Sequence, residues 1–408
     1  MPESFNPSEN NFRIKNQNNL VHFQILIMQF NTKTIHGNQH HDASTGALMP
    51  PIYQTSTYAQ TSPGVHKGYE YSRTGNPTRH ALEEAFASLE NGNYGLAFGS
   101  GLAAIDAILK LFVPGDEIIA TNDLYGGTYR LFTKVYEKFG LVFKFVDMQN
   151  TENISAQVTS NTKLIWVETP TNPMMNIIDI EAVIQIARQN KVLLAVDNTF
   201  ATPYLQLPLD MGADIVMHSA TKYLGGHSDV VMGALIVKDN ELADKLYFLQ
   251  NASGAVCGPM DSFLVLRGLK TLHVRMQRHC ENGAQVAVYL KNHPKIDKVY
   301  WPGFENHPNH EIARRQMKDY GGMMSFTVKG NQKADAIIVV ENLKLFTLAE
   351  SLGGVESLCG HPATMTHASI PKEEREKTGV TDSLIRLSVG IEDVGDLIED
   401  LRLALLHV

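Results

Sequence analysis

His218-Ser-Ala-Thr-Lys-Tyr-Leu-Gly-Gly-His227 follows the apolar run Ala213-Asp-Ile-Val-Met217. The run reads as a short buried strand, so Lys222 leaves the end of a sheet on a turn lined with hydroxyls and glycines. A lysine held beside an apolar core loses its proton well below its ordinary value of about 10.4 and becomes a nucleophile able to form an imine with a carbonyl. Ser219 and Thr221 flank it with donors suited to phosphate. Taken alone the stretch reads first as a surface lysine in a polar loop, because lysines are mostly exposed. The surrounding strands decide between the two readings.

Working outward, strand patterns recur at 94–98, 117–120, 141–146, 164–167, 192–196, 215–217 and 234–237, with helical patterns at 79–92, 102–112 and 179–189. Alternating β and α units imply an α/β fold on a parallel, doubly wound sheet. In such a sheet ligands bind outside the carboxyl ends of the strands. The polar residues fall at those ends: Ser100, then Asp123 with Tyr125, Glu168 with Asn172, Asp197, and Ser219 with Lys222. A random scatter would not favour one end of the sheet, and this asymmetry is what assigns Lys222 a function. Beyond Asp261 a long helical stretch is predicted over 263–290. Shorter elements follow at 298–300, 323–328, 333–340, 346–348, 384–389 and 394–406, which read as a second, smaller α/β domain.

The chain has 408 residues, of which 43% are hydrophobic and 19% charged, enough for a large buried core. A net charge of −8 without any run of Lys or Arg leaves no electrostatic footprint for nucleic acid or an anionic membrane. Cys257, Cys280 and Cys359 are widely spaced and lack CxxC spacing, so they suggest a reducing, cytoplasmic compartment and neither a disulfide framework nor a zinc site. Residues 1–28 are polar and Asn-rich up to an apolar stretch at 20–28 that is too short to span a bilayer. They read as a disordered extension, with Met28 as a candidate functional start. Residues 30–66 are interrupted by Gly46, Pro50, Pro51 and Pro63 and read as an extended arm.

Gly99-Ser-Gly101-Leu-Ala-Ala104, between a strand and a helix, offers backbone N–H groups at a positive helix end, a cradle for phosphate. It also fits GxGxxA with Asp123 about twenty residues on, so a nicotinamide-dependent dehydrogenase is a competing reading. Such an enzyme gives no role to Lys222 or to Asp197. With a lysine imine on one side and a phosphate cradle on the other, Asp197 is placed to pair with a protonated ring nitrogen, and the implied ligand is pyridoxal 5′-phosphate.

The chain from about Phe30 to its end also resembles the cystathionine γ-lyase and γ-synthase group of the Cys/Met metabolism PLP-dependent enzymes. The resemblance is carried by Tyr69-Glu-Tyr-Ser-Arg-Thr-Gly-Asn-Pro-Thr78, Asp123-Leu-Tyr-Gly-Gly127, Glu168-Thr-Pro-Thr-Asn-Pro173, Val196-Asp-Asn-Thr199, Ser219-Ala-Thr-Lys-Tyr223, Glu350-Ser-Leu-Gly-Gly354 and Arg386-Leu-Ser-Val-Gly-Ile-Glu392, in family order. It implies the fold type I, PLP-dependent transferase-like architecture: an arm and helix (29–88) that contact a neighbouring subunit, a large domain (89–262) on a mostly parallel seven-stranded sheet, and a small C-terminal domain (263–408).

The resemblance further implies roles. Lys222 would hold the cofactor and shuttle protons at the substrate's α and β carbons. Asp197 would hold the ring nitrogen, Tyr125 would stack on the ring, and Asn172 would contact its phenolic side. Phosphate would take Ser219, Thr221, the amides of Gly101 and Leu102, and Tyr71 and Arg73 from a neighbouring subunit of a homo-oligomer, by family a tetramer. Arg386 would grip the substrate carboxylate through its bidentate fork, with Ser351 and Asn172 beside it. Glu70, Arg130 and Glu350 would meet the distal head group of cystathionine. Gly127 stands where methionine γ-lyases resemble one another in having a cysteine, and Glu350 favours γ chemistry. The expected activity is γ-elimination of cystathionine to cysteine, 2-oxobutanoate and ammonia. γ-Replacement on an O-acyl-homoserine, or a non-catalytic homologue that binds the cofactor, remain alternatives.

Overall fold

The computed structural model describes residues 28–368 and 371–408; residues 1–27, on which the expected extension falls, lie outside the described residues. Seven strands form the first sheet: β1 (Tyr94–Phe98), β2 (Glu117–Thr121), β3 (Val142–Val146), β4 (Thr162–Glu168), β5 (Leu193–Asp197), β6 (Ile215–Ser219) and β7 (Gly233–Val237). They lie in the order β1-β7-β6-β5-β4-β2-β3, and only β7 runs against its neighbours. The mostly parallel seven-stranded sheet expected from the sequence is therefore present, with each strand within two residues of its predicted bounds. Strands buried on both faces read as continuous apolar runs, as 164–167 does, where all four side chains are fully buried.

Two helices position the site. α1 (Pro77–Leu89) starts at Asn76, whose side chain accepts from the Thr78 and Arg79 amides, with Pro77 at the first helical position. α2 (Gly101–Leu109) starts directly after β1, capped by Ser100, whose Oγ accepts from the Ala103 amide at 3.0 Å.

The predicted long helical stretch is made of two helices, α3 (Pro259–Leu269) and α4 (Leu272–Asn292). The physical reason lies at the join. A side chain on Gly268 would overlap the backbone of Gly225, so the chain approaches the Lys222 turn closely here. Arg275, buried in α4, collects the carbonyls of Gly268 at 2.9 Å and of Tyr223 at 2.6 Å. The end of α3 and the turn that carries Lys222 are thereby held by one guanidinium, a tertiary demand that the apolar period of the sequence does not show.

A second sheet follows, β8 (Ile296–Tyr300), β9 (Met323–Val328), β10 (Thr347–Leu348), β11 (Leu358–Gly360) and β12 (Leu384–Ser388), in the order β10-β11-β12-β9-β8. β11 has no counterpart among the expected strands, because three residues are too few to show alternation. The second sheet has its own apolar cluster, but another cluster joins Val216 and Ile236 of the first sheet to Leu272 and Met276 of α4 and Met323 of β9. Among the described residues no helix is long and apolar enough to cross a membrane, and no group of three or more His, Cys, Asp or Glu is placed to hold a metal. Cys257, Cys280 and Cys359 are buried and free.

Candidate active site

A cavity of about 710 Å³ opens where β1, β4, β5 and β6 end and the second sheet meets the first. It is lined by Gly101, Leu102, Tyr125, Asn172, Asp197, Ser219, Thr221, Lys222, Glu350, Ser351 and Arg386, so most of the residues predicted from strand ends and motifs converge there.

Lys222 projects into it from the turn after β6. Burial and the positive charge of Arg386 push its amine down to about 8, well below the usual value for lysine. Nζ lies 2.8 Å from Ser351 Oγ, to which it donates. Arg386 comes from β12 and is only 4% exposed. Its Nη1 donates to Asn172 Oδ1 at 2.9 Å and its Nη2 to the Ser351 carbonyl at 2.8 Å. The guanidinium keeps further N–H donors for a carboxylate.

Asp197 ends β5 on the cavity wall. Burial raises its carboxyl above the usual range, opposed by the Thr199 hydroxyl and amide, which donate to Oδ1 at 2.5 and 3.0 Å, and by His218. His218 in turn bonds Glu90 Oε1 at 2.6 Å, both side chains being 1% exposed. Sequence reading missed this pair, since Glu90 and His218 are 128 residues apart and belong to no shared motif.

The α2 N-terminus opens on the cavity through Ser100, Gly101 and Leu102. A Cβ on Gly101 would stand 3.1 Å from Ser219 Cβ, so glycine lets the helix start approach that hydroxyl closely. Thr221 lines the cavity, but its hydroxyl already pairs with the Met232 backbone, donating to O at 3.2 Å and accepting from N at 3.0 Å. Tyr125, half-exposed, stands at the cavity wall, its amide donating to Glu168 Oε2 at 3.0 Å.

Other predicted residues are not brought together in this chain. Tyr71 and Arg73 lie in a separate cleft beside Cys257, with the Arg73 guanidinium 5.2 Å above the Tyr71 ring. Glu70 and Arg130 are exposed and do not line the cavity, whereas Glu350 stands at its edge. Asp123 does not face the cavity either. It is buried, raised to about 6 by desolvation, and accepts from Thr171 Oγ1 at 2.5 Å and Asn176 Nδ2 at 3.3 Å. The dinucleotide reading needed that carboxylate on a ribose and a parallel strand beside β1; β1 instead pairs antiparallel with β7, and the reading is corrected.

The model of the Cys/Met metabolism PLP-dependent enzyme family matches residues 31–406. The chain belongs to this family. It is 54% identical over 92% of its length to a cystathionine beta-lyase of Coxiella burnetii, covering 97% of that protein, and 52% identical over 93% to a cystathionine gamma-lyase of Bacillus subtilis, covering all of it. The crystal structure of cystathionine gamma-lyase from Lactobacillus plantarum complexed with L-serine superimposes with a TM-score of 0.91 at 48% identity, over 93% of this chain and 99% of that one. The protein is thus a pyridoxal-phosphate-dependent enzyme, and its cavity fits that cofactor. An amine of depressed pKa suits the aldehyde, a buried acid suits the ring nitrogen, and a helix N-terminus opened by Gly101 suits the phosphate.

Proposed function

We propose that the enzyme is a transsulfuration lyase that cleaves L-cystathionine by γ-elimination to cysteine, 2-oxobutanoate and ammonia. The observation that carries the reading is the placement of Lys222 and Arg386 on one cavity, joined through Ser351. Bound pyridoxal phosphate supplies a conjugated ring that accepts the electrons released at the substrate α carbon. Everything else is done by side chains. Arg386 holds the substrate carboxylate, so that the Cα–H bond points at Lys222. Lys222 moves protons at the α and β carbons, and Ser351 fixes the amine between transfers. Asp197 holds the ring nitrogen, Tyr125 packs on the ring face and Asn172 meets its phenolic edge. Ser219, Thr221 and the amides of Gly101 and Leu102 hold the phosphate.

Glu350 at the cavity edge supports a zwitterionic distal head group, with Glu70 and Arg130 assigned to the same end. Tyr71 is 44% exposed and, with Arg73, lines a cleft separate from this chain's own cavity, which supports a role for this pair at the phosphate of a second copy. The reading therefore includes a homo-oligomer, a tetramer by family, working in the reducing cytoplasm. It divides the chain into an arm (29–88), a cofactor-binding unit (89–262) and a C-terminal unit (263–408).

The β-lyase name of the Coxiella relative favours a second reading, cleavage on the β side of the same substrate. Assay of the purified protein with cystathionine tests both. 2-Oxobutanoate with cysteine supports γ-elimination, and pyruvate with homocysteine overturns it. Cystathionine formed from O-acyl-homoserine and cysteine, without keto acid, would make the enzyme a synthase.

A further inference from the structure

Glu168 and Asp197 end adjacent parallel strands in register, so two carboxyl groups stand side by side on the cavity wall. Both are buried, at 5% and 8% exposure. Their surroundings differ. Asp197 has two donors from Thr199, and His218 on β6 favours its charge. Among the described residues Glu168 accepts only backbone amides, those of Tyr125 and Asn172, with no hydroxyl or cation beside it, and the charged groups that bear on it, Asp197 from β5 and Asp123 beyond β2, are both acids. The cations across the cavity, Lys222 and Arg386, face each other and Glu350.

Two buried neighbouring carboxylates without a cation between them do not both ionise at neutral pH. The proton goes to the less supported one, and burial together with the Asp197 charge pushes Glu168 far above the usual carboxylate range. We propose that Glu168 is a neutral acid in the working enzyme, a positioning residue that fixes Tyr125 through its carbonyl oxygen and leaves Asp197 as the single negative charge beside the cofactor ring. The proposal deepens the reading of Asp197 as counter-charge to the ring nitrogen and rests on it. A second full charge there would compete with Asp197 for the same proton; a neutral carboxyl keeps the tyrosine in place without doing so.

The test uses holoenzyme. Infrared difference spectra, wild type minus Glu168→Gln at pH 7, are expected to show the carbonyl stretch of a protonated carboxyl, shifted in D2O. Glu168→Gln, which keeps an acceptor for the Tyr125 amide, is expected to bind pyridoxal phosphate within about threefold of wild type, and Glu168→Ala about tenfold or more weakly. In Asp197→Asn the protonated-carboxyl band is expected to titrate away at lower pH than in wild type, because the neighbouring charge is gone. A difference spectrum with carboxylate bands alone, a loss beyond tenfold in Glu168→Gln, or a band indifferent to Asp197→Asn overturns the proposal. Full cofactor affinity in Asp197→Asn instead sinks the counter-charge reading, and the wild-type band still reports the state of Glu168 separately.

Discussion

Lys222 Nζ donates to Ser351 Oγ at 2.8 Å, and the Ser351 backbone sits at φ +95°, where a non-glycine residue is rarely found. The Lys222 amine, on the turn after β6, is thus tied to the segment between β10 and β11. A strained residue persists where its surroundings hold it, here through the Arg386 bond to its carbonyl. Ser351→Ala is expected to keep the bound cofactor's absorbance and to lower kcat about tenfold, the worth of one buried hydrogen bond. Unchanged kcat would show that the amine needs no tether.

Lys222 at about 8 is neutral in most molecules above that pH and protonated below it. Borohydride trapping of aldehyde by cofactor-free protein should therefore rise with pH around a midpoint near 8. Arg386→Leu removes a positive neighbour that disfavours the protonated amine, so its midpoint moves upward. Lys222→Ala should abolish turnover and the cofactor chromophore with an unchanged far-ultraviolet circular dichroism spectrum; retained activity would refute the assigned role.

A Cβ placed on Gly127 overlaps the Tyr125 ring. Gly127→Ala must displace that ring or the start of the short helix Gly126–Arg130, at an overpacking cost of about 1–3 kcal/mol. The expected readout is weaker cofactor binding and lower kcat/KM at nearly constant melting temperature, because the strain falls on a half-exposed side chain. A loss of melting temperature with intact cofactor affinity would place the strain elsewhere.

Glu90 Oε1 accepts from Asn198 Nδ2 at 2.9 Å as well as bonding His218, and all three side chains are buried. Glu90→Ala leaves the buried His218 ring without its partner, while Asn198 keeps its two bonds to Gln206, and is expected to destabilise the protein by about 2 kcal/mol. Asn198 follows Asp197, so cofactor affinity should fall in the same variant. Chemical denaturation and cofactor titration check the two effects together.

Much of this was legible in the sequence for a specific reason. Strands of the first sheet are buried on both faces, so they read as unbroken apolar runs, and their polar termini mark the cavity mouth. Lys222, Asp197, Asn172 and Arg386 could be placed that way or through motif. What stayed hidden depends on contacts between distant segments. The break between α3 and α4 answers to Arg275 and Gly225, the Glu90–His218 pair crosses layers, and β11 is too short to have a period. Glu168 was visible as a strand end, but its role needed the in-register neighbour that only pairing between β4 and β5 supplies.

The apolar cluster that runs from Val216 and Ile236 through Leu272 and Met276 to Met323 belongs to neither sheet alone. Shearing the two halves apart would wet that shared oil-like seam, so melting should register as one calorimetric peak instead of two. A fragment cut at 262 would carry half of the seam bare and precipitate.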